Sequence, residues 1–297
     1  IADRRFHQGL LIRFDQQNAV VIGTGIRLAT TVSSLLVGWL VIEGEGVLVA
    51  ASALTLGTLT EALYARIRSR PIIKGALTTS PIDDRVLTGR ALLRFYVPLA
   101  LTPVLVIAMQ PIGSAGIDRM PNAVISLAVW APLNGLVFMC RSVGVAYNEV
   151  VISNCGSMQR LGPLRRFAWL AGTIVTLLLA IVSFTPLAEH WFGSVMGLDP
   201  ELVELGASAL WIAAPIPLLT FLQSLYQGLL VHAHITRAVT ESVVVFLVVT
   251  ISILVVGVLM QPSSGIYAVL SALLAGNVTQ TLWLWHRCRR TIFIASN

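Results

Sequence analysis

Charge is scarce in this sequence. Only 11% of its 297 residues are Asp, Glu, Lys or Arg, whereas 56% are hydrophobic, and the mean hydropathy is strongly positive. A water-soluble domain of this length could not cover its surface with so few charges, which excludes that class. Cysteine is scarce as well. Cys140, Cys155 and Cys288 form no CxxC pair, and His232 and His234 lie only two apart, so neither a disulfide framework nor a metal site is indicated. No P-loop, HExxH or GxSxG occurs, so ATP-driven pumping and hydrolysis have no support in the sequence. The chain is expected not to be an enzyme and to carry no cofactor. Its net charge of +6 does not indicate nucleic acid either, because the basic residues sit in short loops beside apolar runs.

What the sequence has in quantity is those runs. Stretches of 18 or more apolar residues recur along the chain, each long enough at 1.5 Å per residue to cross a hydrocarbon core of about 30 Å. They predict an all-α polytopic membrane protein with about eight transmembrane helices, at 19–42, 46–67, 91–113, 122–152, 167–188, 203–230, 238–260 and 264–286. Pro132, Pro215 and Pro217 are candidate kink sites in the two longest spans.

Loop charge alternates along this list. Arg4, Arg5 and Arg13 precede the first span, and Arg66, Arg68, Arg70, Lys74, Arg85, Arg90 and Arg94 surround the second loop. Arg160, Arg165 and Arg166 fill the fourth loop, His232, His234 and Arg237 the sixth, and Arg287, Arg289 and Arg290 follow the last span. The intervening loops hold Glu43 and Glu45, then Asp118 with Arg119, then Glu189, Asp199, Glu201 and Glu204, then no charge. Cytoplasmic loops concentrate Lys and Arg, so both termini of this chain are expected on the cytoplasmic face of the cell membrane.

The sequence also repeats. At a shift of 219 residues, 8–70 aligns with 227–289 without a gap, with about a third of positions identical. Gln8-Gly9-Leu10-Leu11 meets Gln227-Gly228-Leu229-Leu230, Gly38 meets Gly257, Gly46 meets Gly265, and Gly57 meets Gly276. Arg68 and Arg70 meet Arg287 and Arg289. Both copies run from a cytoplasmic entry to a cytoplasmic exit, which predicts parallel repeats related by an axis along the membrane normal. The second copy is preceded by four further helices and the first is not, and the chain opens Ile1-Ala2-Asp3 without a Met or a signal peptide. The expected organisation is therefore the last two helices of an incomplete first lobe at 1–68, a cytoplasmic linker at 69–90 and a complete six-helix second lobe at 91–290, a remnant of a six-plus-six plan.

Two parallel six-helix lobes joined by a cytoplasmic linker resemble the multidrug/oligosaccharidyl-lipid/polysaccharide exporter superfamily, which includes the multidrug and toxin extrusion proteins and the polysaccharide flippases. Phe95-Tyr96-Val97-Pro98-Leu99-Ala100-Leu101 through Gln110-Pro111 looks like the first helix of such a lobe. Gly197-Leu198-Asp199 leading to Leu210-Trp211 and Pro215-Ile216-Pro217, then Gln227-Gly228 and Thr236-Arg237, is similar to the end of its fourth helix and the turn beyond. Within the superfamily the likeness runs to the progressive ankylosis protein family, whose members export small organic anions. The resemblance implies a secondary transporter or flippase exporting an amphiphilic or anionic solute, with membrane lipids, a small-molecule or lipid-linked substrate and a coupling cation as partners. One departure matters: the embedded acid that many extrusion proteins use for cation coupling lies in a first-lobe helix that this chain does not include, so the coupling residue is not carried over. A non-transporting scaffold of a cell-envelope complex and a membrane enzyme acting on lipid-linked substrates are the rival readings.

Charged and amide side chains inside spans are the candidate substrate-binding residues, because burying them in a bilayer is unfavourable without a partner or a wet cavity. Arg141 is the sharpest. Asn134, Phe138, Arg141, Val145 and Asn148 share one helix face, a cationic, amide-lined stripe suited to a phosphate, carboxylate or head group. The alternative is that Arg141 pairs with Glu149 or snorkels to the interface. Arg27, whose repeat mate is Phe246, is not required by the shared scaffold; Glu61, matched by Gln280, is its candidate neutralising partner. Gln223 and Gln227 share a face and would line the same cavity or bond between helices. Glu241 suits a helix start, and the Trp residues read as interfacial.

Overall fold

A bilayer offers the backbone no hydrogen-bonding partner, so apolar runs of spanning length satisfy their N–H and C=O groups internally as helices. The computed structural model describes residues 2–41, 46–75, 89–154, 161–261 and 264–290, with the backbone alone at Ala2, 90–96 and 98–103, and its described elements are helical throughout. They are α1 (Ala2–Arg13), α2 (Gln17–Val41), α3 (Gly46–Lys74), α4 (Gly89–Asp118), α5 (Ala123–Asn154), α6 (Leu161–Ser183), α7 (Pro186–Glu189) running into a π turn (His190–Val195), α8 (Pro200–Ala213), α9 (Ile216–His232), α10 (Thr236–Met260) and α11 (Gly265–Cys288).

Seven described stretches are long and apolar enough to cross a membrane: α2, α3, α5, α6, α8 with α9, α10 and α11. They match seven of the eight expected spans. The remaining one, 91–113, lies on α4, whose described apolar part is Val104–Asp118. Large apolar side chains stand outward along these helices, with Val21, Trp39, Val47, Leu259 and Met260 all at least 70% exposed, as lipid contact requires and water would not tolerate. The span expected at 203–230 breaks at Ala214–Pro215, where Pro215 precedes α9 and Pro217 lies in its first turn, leaving early N–H groups without helical acceptors. One is satisfied from outside: Leu218 N donates to Thr176 Oγ1 of α6 at 3.0 Å. Pro132 stays inside α5, and its carbonyl accepts from Trp191 Nε1 at 3.4 Å. The loop positions Glu43, Glu45, Arg85, Cys155 and Arg160, and linker residues 76–88, lie outside the described residues.

The chain divides into two units, Ile1–Val86 and Leu87–Asn297. Helix α3 runs on through Pro71 to Lys74, beyond the boundary at 68 expected for the first lobe. In the first unit α3 packs on α2 and α1, with Leu10, Leu11, Ala19, Ala65 and Ile72 buried together. The second unit is an all-helical bundle with two apolar clusters, one around Ile117, Trp130, Phe192, Leu210 and Phe246, the other around Tyr147, Phe221, Leu230 and Leu284. Trp130, read from the sequence as interfacial, is only 6% exposed.

The repeat seen in the sequence recurs in the structure's helix bounds, turns and glycine contacts. Helix α1 ends at Arg13 and α9 at His232, its position in the repeat; α2 spans Gln17–Val41 and α10 its counterpart, Thr236–Met260. The turns between them share a conformation that few side chains adopt, with φ of 56° at Asp15 and 61° at His234. Gln16 N donates to Leu11 O at 2.9 Å and Ile235 N to Leu230 O at 2.8 Å, and the flanking turn bonds correspond in the same way. Hairpin α2–α3 closes where Gly38 faces Val49 and Gly57 faces Thr31 and the Arg27 backbone; α10–α11 closes where Gly257 faces Ala268 and Gly276 faces Thr250 and Phe246. Each of these residues is its counterpart's repeat mate.

These close approaches leave no room for a side chain. Gly57→Val is expected to destabilise the protein by about 1–3 kcal/mol through overpacking, read as a lower midpoint in an SDS titration. Gly135→Ala, where a Cβ meets nothing within 4 Å, should leave the midpoint unchanged or raise it.

Candidate functional site

A carboxylate in the middle of a spanning helix must be neutralised or hydrated. Glu61 of α3 is 2% exposed, and four side chains converge on it. Arg4 Nη1 of α1 donates to Oε2 at 2.5 Å, Gln8 Nε2 to Oε1 at 2.9 Å, and from α2 Thr24 Oγ1 reaches Oε1 and Arg27 Nη1 reaches Oε2, both at 3.5 Å. The pairing of Arg27 with Glu61 expected from the repeat is present, but it is the looser of two ion pairs. Arg4 is the tighter partner, and it was not identifiable from the sequence because it lies 57 residues from Glu61, in the stretch ahead of the first span. The α1–α3 contact continues toward the helix ends, where Ser69 Oγ and His7 Nδ1 are 2.7 Å apart.

The second unit holds the same positions with neutral groups. Arg4, Gly23, Arg27 and Glu61 correspond to Gln223, Ser242, Phe246 and Gln280. Gln280 Nε2 reaches Ser242 Oγ at 3.5 Å, and Gln223 Nε2 donates to Asn277 O, Asn277 Oδ1 and Thr281 Oγ1 at 3.1–3.2 Å. Gln223 is therefore an interhelical clamp joining α9 to α11. Gln227, the mate of Gln8, is partly buried and makes no side-chain hydrogen bond among the described residues. Glu241 does more than favour a helix start: it joins Arg237, at 3.1 Å, to Arg287 of α11, at 2.5 Å.

On α5 the five-residue stripe divides. Asn148 Nδ2 donates to Ser224 O of α9 at 3.1 Å, a structural bond, while Phe138 and Val145 are exposed. Arg141 and Asn134 are partly buried, and Arg141 Nε and Asn134 Nδ2 are enclosed without a hydrogen-bond partner among the described residues. Arg141 has no ion pair with Glu149, which lies eight residues, about 12 Å, farther along the helix axis. Two orphaned donors seven residues apart thus remain on one helix face.

No protein-family model, curated protein or solved structure matches this chain.

Among the described residues no group of three or more His, Cys, Asp or Glu side chains is placed to hold a metal ion, and Cys140 and Cys288 are free thiols. A cavity of about 700 Å³, not indicated by the sequence, opens beside the π turn in the second unit. Ser183, Glu189, Glu204, Ser208 and Trp211 are among its lining residues, and none of the candidate residues above contributes to it.

Breaking a buried ion pair costs far more than replacing it whole. Glu61→Gln alone is expected to lower stability by roughly 3–5 kcal/mol, because it strands the Arg4 guanidinium. Adding Arg4→Gln should recover most of the loss, since Gln280 and Gln223 occupy those two places in the other copy. A double-mutant cycle in SDS titration reads the coupling.

Proposed function

We propose that this protein is a secondary transporter or flippase of the cell membrane that moves an amphiphilic or anionic solute outward by alternating access. The observation that carries the reading is the twice-built helix unit, α1–α3 and the end of α9 through α11. Repeated bundles rocking about a central site are the usual architecture of secondary transporters, and parallel repeats are one of their two forms. The resemblance of the helix ends to the multidrug/oligosaccharidyl-lipid/polysaccharide exporter superfamily points the same way. The alternating loop charge supports cytoplasmic termini.

Arg141 is the residue assigned to the cargo in the second unit. A guanidinium in a spanning helix without an acid partner suits an anion that arrives and leaves, and Asn134 offers a second donor on the same face. Organic anions and lipid-linked glycans meet that description, and a gradient, through a coupling cation, supplies the drive.

The test is transport by the full-length protein in proteoliposomes, with organic anions, amphiphilic drugs and lipid-linked sugars as cargo. Movement of one of these classes is expected; movement of none contradicts the proposal. Arg141→Ala is expected to reduce transport at least tenfold while leaving the SDS midpoint unchanged, because no partner is lost with it. Full activity in that variant would favour a packing role and the scaffold reading.

A further inference from the structure

We propose that Arg27 is an anion-binding residue, the guanidinium left over once Arg4 has neutralised Glu61, and that its ligand is a phosphate or carboxylate group. The first reason is charge. Two guanidinium groups face one carboxylate, so the cluster carries one positive charge more than it can cancel. The other titratable groups nearby make no ion pair with either guanidinium: the Asp3 side chain is 61% exposed and lies beside His7 at 3.4 Å, and Tyr64 packs against Gly23.

The second reason is that the two arginines are unequal. Arg4 is 2.5 Å from Glu61 with its side chain 12% exposed, whereas Arg27 is 3.5 Å away and 43% exposed. One is spent on the acid, and the other retains free donors. Third, the fold does not need a charge at this place. The α10–α11 hairpin closes through the same glycine contacts with Phe246 where α2–α3 has Arg27: the Arg27 stem meets Gly57, and the Phe246 ring edge meets Gly276. The stem of Arg27 does the packing that Phe246 does, and the head group is surplus to it.

Thr24 and Thr30, one turn away on either side of Arg27, spend their hydroxyl hydrogens on Val20 O and Ile26 O, so the donors for an anion come from Arg27 itself. Arg27 lies ten residues past the start of α2, about 15 Å along its axis, which is half the thickness of a hydrocarbon core. A half-exposed guanidinium at that depth calls for an anionic partner, and its planar fork fits two oxygens of one. The inference deepens the transport reading by naming the cargo's charged group, and it rests on that reading only for where the anion comes from.

Binding is tested apart from transport, by thermal unfolding of the full-length protein in maltoside detergent. Three probes are titrated: inorganic pyrophosphate, phosphatidylglycerol, and phosphatidylcholine as the control without net charge. Stabilisation of the wild type by pyrophosphate identifies a soluble anion as the ligand, and stabilisation by phosphatidylglycerol alone identifies a lipid head group. In either case Arg27→Gln should weaken the apparent affinity at least tenfold, with its unliganded melting temperature close to wild type. Arg27→Lys should weaken it less, keeping the charge and losing the two-oxygen grip, and it serves as the reporter if Arg27→Gln does not fold. No anion-dependent shift in the wild type overturns the inference, as does an equal shift in the Arg27 variants. Arg27-dependent binding without any transport would count against the transport reading alone; transport unchanged by Arg27→Gln, without anion binding, would count against this inference alone.

Discussion

Helices in a bilayer gain little by hiding apolar surface from one another, because the lipid is as apolar as the partner helix, and so close packing decides which helices meet. In this protein small residues set that closeness. Gly38 and Gly57 bring α3 against α2, and Gly257 and Gly276 bring α11 against α10, at the same positions of a repeated unit. The shared turn at Asp15 and His234, with its left-handed backbone, fixes the direction in which each hairpin leaves the preceding helix. Two sequences that agree at only about a third of their positions thus produce one geometry: the identical positions include the glycines that set approach, and the turn keeps its backbone conformation although its residues differ.

Once packing is settled by glycines, the chemistry at the interface is free to differ, and it does. One copy joins its first and third helices through a buried carboxylate and Arg4, with Arg27 of the second helix beside them, and the other joins them through Gln223, Asn277 and Thr281. Neutral networks of that kind hold helices together without any net charge to compensate. The charged version is harder to accommodate in lipid and gives the first unit a positive head group that its counterpart lacks. Arg141 gives the second unit one of its own, in a helix outside the repeat.

Much of this was legible in the sequence, and the reason is the bilayer. Spans appear as apolar runs because residues facing lipid are predominantly apolar, and the repeat appears because glycines recur at the positions where the backbones meet. Side-chain pairing was less legible. The link between Arg27 and Glu61 could be anticipated because the repeat loses both charges together, but Arg4 lies in a short polar helix with no span signal to draw attention to it. The sequence places Asn148 and Gln223 on helix faces, and the structure supplies the interhelical bonds they make, since spacing identifies a helix face but not the helix opposite. The break at Ala214–Pro215 was signalled by its prolines, whereas the π turn at His190–Val195 and the acidic cavity beside it had no periodic signature.

The proposed transport mechanism requires that the repeated helix unit be used twice in the same direction across the membrane, and this is tested most directly by labelling the two equivalent turns. With Cys140, Cys155 and Cys288 replaced, single cysteines are placed at Asp15 and at His234 in the full-length protein, and intact cells are compared with inside-out vesicles using a membrane-impermeant maleimide. Both positions should react in inside-out vesicles and neither in intact cells. Reaction of the two turns from opposite sides would mean antiparallel copies and would contradict the account.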